Sequence, residues 1–152
     1  MSYTAADVKK LREETGAGMM DCKKALDEAD GDFAKAKEIV RERGLAKAEK
    51  KADRETNIGY ITSYVHTNHQ VGCMLEMQCE TDFVARNEEF QALARDIALQ
   101  IVSMAPETVE ELLPQDSIKH PGETIEQMIK VLSGKIGERF VLTRFVRYVV
   151  GE

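Results

Sequence analysis

The spacing of apolar residues changes along this chain, and that change limits what it can fold into. Up to about residue 45 they recur at helical spacing, and from Asn57 to Cys79 they alternate. Val71, Cys73, Leu75, Met77 and Cys79 occupy every second position, so an extended strand here would carry one wholly apolar face. Residues 59–66 read as a preceding strand, with Thr67-Asn68-His69-Gln70 as the turn between the two. The stretch 139–150 is rich in Val, Phe and Tyr and predicts a third strand.

Helices are predicted on either side of the strand pair. Thr4 caps the first, with Asp7 three residues on and Val8 and Leu11 facing inward, and Gly16-Ala17-Gly18 ends it. A second begins near Met20, turns Ala25, Leu26 and Ala29 inward, and stops at Asp30-Gly31. Asp32 caps a third, where Phe33, Ala36, Ile39 and Val40 follow the helical period and Gly44 reads as the stop. Residues 47–54 hold good helix formers without an apolar face, which predicts an exposed basic linker. After the strands, Asn87 caps a long helix whose stripe is Phe90, Leu93, Ala94, Ile97, Ile101 and Met104, with Pro106 as its stop. A last helix carries Ile125, Met128, Ile129 and Leu132, with Gly134 as its end. The expected fold is α+β: a three-helix module over 1–45, a helical linker over 46–56, and over 57–152 a three-stranded antiparallel sheet packed with helices.

Composition excludes several functions. A net charge of −6 argues against coating nucleic acid, and no apolar run approaches the roughly 20 residues that span a bilayer. Met1-Ser2-Tyr3-Thr4-Ala5 lacks a basic region followed by an apolar stretch, so no secretory signal is expected. Cys22, Cys73 and Cys79 are odd in number and lack CxxC spacing, which fits free thiols in a reducing compartment such as the cytoplasm or an organelle matrix. His66 and His69 flank a turn without the partners of a metal motif, and Gly16-x-Gly18 lies between helices, not after a strand as a phosphate loop would. No nucleophile, base or metal set assembles, so catalytic and metal sites are expected to be absent.

The segment Cys79-Glu80-Thr81-Asp82-Phe83-Val84-Ala85-Arg86-Asn87 is less ordinary. Phe83 stands beside an acid at a strand-to-helix junction. It reads either as a staple folding back on the next helix or as an aromatic anchor for a partner. Met19-Met20 poses the same choice between core filling and contact surface. Three classes remain open on these features: a protein-interaction module resembling a ubiquitin binder, a nucleic-acid regulator using residues 47–54, and an enzyme.

Longer motifs carry a resemblance. Leu11-Arg12-Glu13-Glu14-Thr15-Gly16-Ala17-Gly18-Met19-Met20-Asp21-Cys22-Lys23-Lys24-Ala25-Leu26 is similar to the N-terminal signature of the elongation factor Ts family. Glu76-Met77-Gln78-Cys79-Glu80-Thr81-Asp82-Phe83-Val84-Ala85-Arg86-Asn87 resembles its second signature, with Gln78 where the family usually has Asn. Lys135-Ile136-Gly137-Glu138 followed by Arg144-Phe145 is similar to the segment that closes the family's core. The resemblance implies a ubiquitin-associated-like helical module ahead of an α+β core. It also implies binding to elongation factor Tu and accelerated GDP release. Arg12, Met19, Met20, Lys23, Thr81, Asp82, Phe83 and Val84 are the partner-binding residues it implies. GDP, GTP and magnesium would belong to the partner, so no cofactor is expected. Between the long helix and Lys135 the chain is short, where longer relatives have a second core half, a helical hairpin or both. A homodimer through the core is the expected compensation.

Overall fold

The computed structural model describes residues 2–152. Three helices come first: α1 (Ala5–Thr15), α2 (Met19–Glu28) and α3 (Phe33–Glu49). Strands β1 (Ile58–Val65) and β2 (Val71–Cys79) follow, then the one-turn α4 (Asp82–Ala85) and the long α5 (Glu88–Met104). The short α6 (Val109–Leu112), α7 (Ile125–Ile136) and β3 (Val141–Val149) complete the chain. The architecture is α+β, with one antiparallel sheet in the order β1-β2-β3.

The helix starts follow their caps. The Thr4 hydroxyl accepts from Asp7 N while the Asp7 carboxylate accepts from Thr4 N, satisfying two otherwise orphaned N–H groups. Asp32 accepts from Lys35 N at 3.1 Å, and Thr124 with Gln127 repeats the reciprocal box on α7.

The alternation on β2 is borne out: Cys73, Leu75, Met77 and Cys79 are buried against α5, which brings Phe90, Ile97 and Ile101 onto the same face. Phe90 and Phe140 meet edge to face, with centroids 4.8 Å apart. Each large side chain removed from water here contributes on the order of 1.5–3 kcal/mol. A separate cluster of Val8, Leu11, Cys22, Ala25, Leu26, Ala36 and Val40 holds α1–α3 together. Gln100, also buried, fastens the loop after α6. Its amide donates to the Asp116 carbonyl at 3.0 Å and accepts from Ile118 N at 3.0 Å.

Two glycines read as helix stops do something else. α3 runs through Gly44 to Glu49, and α7 runs through Gly134 to a left-handed cap at Gly137. The two helices cross where these glycines meet. A Cβ on Gly134 would fall on the Gly44 carbonyl, far inside van der Waals contact, whereas a Cβ on Gly44 would meet nothing within 4 Å. A missing side chain thus lets two backbones touch, and the touch joins the helical module to the core.

Ion pairs extend the joint. Arg41 Nε lies 3.4 Å from Glu123, and Lys130 Nζ lies 3.8 Å from Glu49. The basic run is stitched down as well: Lys47 pairs with Asp21 at 2.9 Å, Arg54 with Glu80 at 3.4 Å, and Lys51 is buried, its ammonium donating to the Lys47 carbonyl. Burial, then the neighbouring Arg54 and Lys47 charges, hold the Lys51 pKa below its usual value.

Candidate functional site

The segment after β2 is two caps set back to back. The Thr81 hydroxyl accepts from Val84 N at 3.4 Å and opens the single turn α4, and Asn87 then accepts from Glu89 N and Phe90 N to open α5. Seven residues therefore hold two helix starts. Val84 and Ala85 turn inward and are buried, which fixes the direction of the residues between them and Thr81. Phe83 points away and is 89% exposed. Asp82 is exposed too, paired with Arg86 at 2.8 Å in an i,i+4 contact worth a few tenths of a kcal/mol.

The turn is tied to the far end of the chain. Glu138 Oε1 accepts from Glu80 N and from Thr81 N, each at 3.0 Å, and its Oε2 accepts the Thr81 hydroxyl at 2.6 Å. The Glu80 carboxylate accepts in turn from Arg139 N at 2.7 Å. Hydrogen bonds to a carboxylate are about twice as strong as neutral ones, so this is a firm anchor. Beneath it the Cys79 thiol donates to the Thr81 carbonyl at 3.3 Å, and burial, then the Glu138 charge, push its pKa up to about 11. Burial raises Cys73 as well, so neither thiol is set up as a thiolate nucleophile.

The second exposed cluster lies on the α1–α2 turn. Gly16, in the left-handed region at φ 69°, closes α1 with its N–H on the Arg12 carbonyl at 2.7 Å. Met19 and Met20 form the first turn of α2 and are exposed, as are Arg12 and Lys23. Asp21 sits behind them, and its hydrogen bond from Lys47 holds its pKa below the usual carboxylate range.

The eight residues singled out from the sequence thus fall into two groups. Arg12, Met19, Met20 and Lys23 share the helical module; Asp82 and Phe83 project from the core, and Thr81 and Val84 hold that projection in place. No hydrogen bond or ion pair joins the two groups among the described residues. They are linked through Lys135, which pairs with Glu89 at 2.7 Å and whose side chain lies over Gly16 where a Cβ would otherwise stand. A cleft of about 590 Å³ opens between the α1–α2 turn, α3 and α7, with its charges largely matched as Lys37–Glu14 and Lys47–Asp21. Among the described residues no group of three His, Cys, Asp or Glu side chains could hold a metal ion. Nor is any helix long and apolar enough to cross a membrane.

Sequence reasoning gave Glu138, Lys135, Gly44 and Gly134 no role in placing these clusters. A charged residue after a helix stop ordinarily reads as a solvated loop, and nothing local to Glu138 announces a partner 57 residues upstream.

Two exposed apolar turns thus stand on one joined frame. The family model described as Elongation factor TS matches residues 80–152. Over 97% of its length the chain is 52% identical to elongation factor Ts of Aquifex aeolicus, covering 53% of that protein. Over its full length it is 42% identical to elongation factor Ts of Thermodesulfovibrio yellowstonii and 43% identical to that of Fervidobacterium nodosum, covering 98% and 100% of them. This chain belongs to the elongation factor Ts family. It spans about half of the Aquifex relative and nearly all of the other two.

Proposed function

We propose that this chain is a translation elongation factor of the bacterial cytoplasm that binds elongation factor Tu in its GDP form and promotes GDP release. Phe83 carries the reading: a large aromatic, 89% exposed, at the crest of a turn capped by Thr81 and backed by the buried Val84 and Ala85. Leaving that ring in water is unfavourable for the isolated chain, and a fixed aromatic is the side chain that most often anchors an interface. Asp82 and Phe83 press into the nucleotide-binding domain of the partner and disturb its magnesium and phosphate-loop region. Arg12, Met19, Met20 and Lys23 grip the same domain from the helical module. A factor that weakens GDP binding is itself bound less tightly by the GDP form, to the same extent, so exchange is mutual displacement with no covalent step. Nucleotide and magnesium stay with the partner, and this chain uses no cofactor of its own.

Release of a fluorescent GDP from elongation factor Tu tests the reading. Fast release with the parent and much slower release with Phe83→Ala is the expected outcome. A folded parent that leaves the release rate unchanged would end it. Against the nucleic-acid alternative, Lys47 and Arg54 are ion-paired and Lys51 is buried.

A second reading concerns assembly. The sheet face away from α5 exposes Ile61, Val65, Met74, Val146 and Tyr148 around the Glu76–Arg144 pair. A contiguous apolar face of this kind is rare on a monomer, and a second copy of the chain is the occupant we propose. Sedimentation at tens of micromolar, a concentration that populates a complex of moderate affinity, is expected to give a dimer. A monomer throughout would remove the proposal.

A further inference from the structure

We propose that Glu138, at the junction of α7 and β3, is a positioning residue that sets the pose in which Asp82 and Phe83 are presented for nucleotide release. The inference rests on the exchange reading above and adds to it a residue outside the exposed surface.

Glu80, Thr81, Glu138 and Arg139 exchange four hydrogen bonds. Three end on the Glu138 carboxylate, from Glu80 N, Thr81 N and the Thr81 hydroxyl, and the fourth runs back from Arg139 N to Glu80. The hydroxyl bond directs the rest. A threonine hydroxyl has one proton and two lone pairs. By taking the proton, Glu138 leaves a lone pair facing Val84 N, which is the bond that starts α4. The orientation of the cap, and through it the direction of the turn that carries Phe83, follows from the carboxylate.

Glu138 is itself held. Gly137 closes α7 in the left-handed region at φ 93°, and the Ser133 hydroxyl donates to the Glu138 carbonyl at 2.5 Å. The carboxylate is therefore fixed to the frame that also carries the helical module, because α7 is the helix that crosses α3. All of its hydrogen bonds go to the two residues immediately before the exposed pair. Removing it loosens the turn while the apolar core behind Val84 and Ala85 stays packed.

The test measures fluorescent GDP release from elongation factor Tu with the full chain, Glu138→Ala, Glu138→Gln, Phe83→Ala and the double variant Glu138→Ala/Phe83→Ala. Glu138→Ala is expected to lower the maximal release rate by about tenfold or more, the scale of a lost hydrogen bond to a charged group, and to move the half-saturating concentration less. Glu138→Gln keeps an acceptor for the backbone N–H groups and falls between Glu138→Ala and the parent. The decisive readout is coupling: in the Phe83→Ala background, Glu138→Ala costs a smaller fold-loss, because much of its effect acts through that ring and only the part through Asp82 is left. Amide exchange at Glu80 and Thr81 is expected to quicken in Glu138→Ala and not in Phe83→Ala. A folded Glu138→Ala protein with the parent's rate would overturn the proposal, as would an equal fold-loss with and without Phe83. If Glu138→Ala does not fold, the same comparison made with Glu138→Gln decides. Failure of the exchange reading is distinct, since the parent itself then leaves GDP release unchanged, and the positioning role in release fails with it.

Discussion

The turn that carries Phe83 and the turn that carries Met19 and Met20 both leave large apolar side chains in water, and they are made differently. The first is held by side chains: Thr81 caps it, a carboxylate grips its backbone, and Val84 is sunk behind it. The second begins at Gly18, which offers α2 no side-chain cap, and is shaped by backbone conformation at Gly16. The side chains presented match the mounting. A rigid ring loses little freedom on docking and benefits from a fixed pose, whereas flexible thioethers adapt to whatever they meet. Under the proposed function, fixed geometry is concentrated at the one aromatic that docks in one orientation.

The sharpest way to break this contrast is to truncate each turn in the GDP-release assay. Phe83→Ala is expected to lower the rate by about 30-fold or more, as a buried interface anchor does, and Met20→Ala by roughly threefold. Equal losses would mean that the two mountings carry no functional difference. Next in size is the joint between them. Gly134→Ala sets a Cβ on the Gly44 carbonyl and should destabilise the protein by roughly 2–3 kcal/mol in urea unfolding, as overpacking does. Gly44→Ala meets open space and should stabilise α3 by about 0.5–1 kcal/mol. Similar effects of the two substitutions would argue against the crossing described.

The thiols behind the turns sharpen the comparison by pH. Cys79 lies under the Phe83 turn with its pKa raised from 9.0 to about 11. The native state keeps this proton after the unfolded chain has released it. The stabilisation is complete below pH 9 and is lost as pH rises through about 11, a loss on the order of 2 kcal/mol. Urea midpoints between pH 8 and 11 should fall less steeply for Cys79→Ala than for the parent; parallel curves would remove this contribution. A slope from Cys73, raised in the same direction, should remain in both.

Local chemistry made much of the fold legible. The caps at Thr4, Asp32 and Asn87, the alternation on β2 and the stripe on α5 each stabilise their element where they stand, so the sequence displays them. Met104 departs from its stripe and is half exposed, in the last turn before the left-handed Ala105. α4 was hidden because its cap and the next cap fall within seven residues, too close together for a periodic pattern. The glycines show the limit most clearly. Gly16 ends a helix and Gly134 does not, although both stand after an apolar periodic run. Which role a glycine takes is set by what approaches it from elsewhere in the chain. Glu138 appears only within the motif of the resemblance, and its role in the turn was hidden for the same reason: its partners are distant in sequence.

The contact of α3 with α7 at Gly44 and Gly134 has a consequence for avidity. A module on a flexible tether would search a wide volume after its companion surface had bound, and the second encounter would be diluted accordingly. Here the two turns are held on one frame, so under the proposed function the landing of either places the other at a high effective concentration over its own target. Affinity then responds to the spacing of the turns as well as to their contacts. A substitution at the crossing is then expected to weaken the proposed complex without touching a residue assigned to the contact.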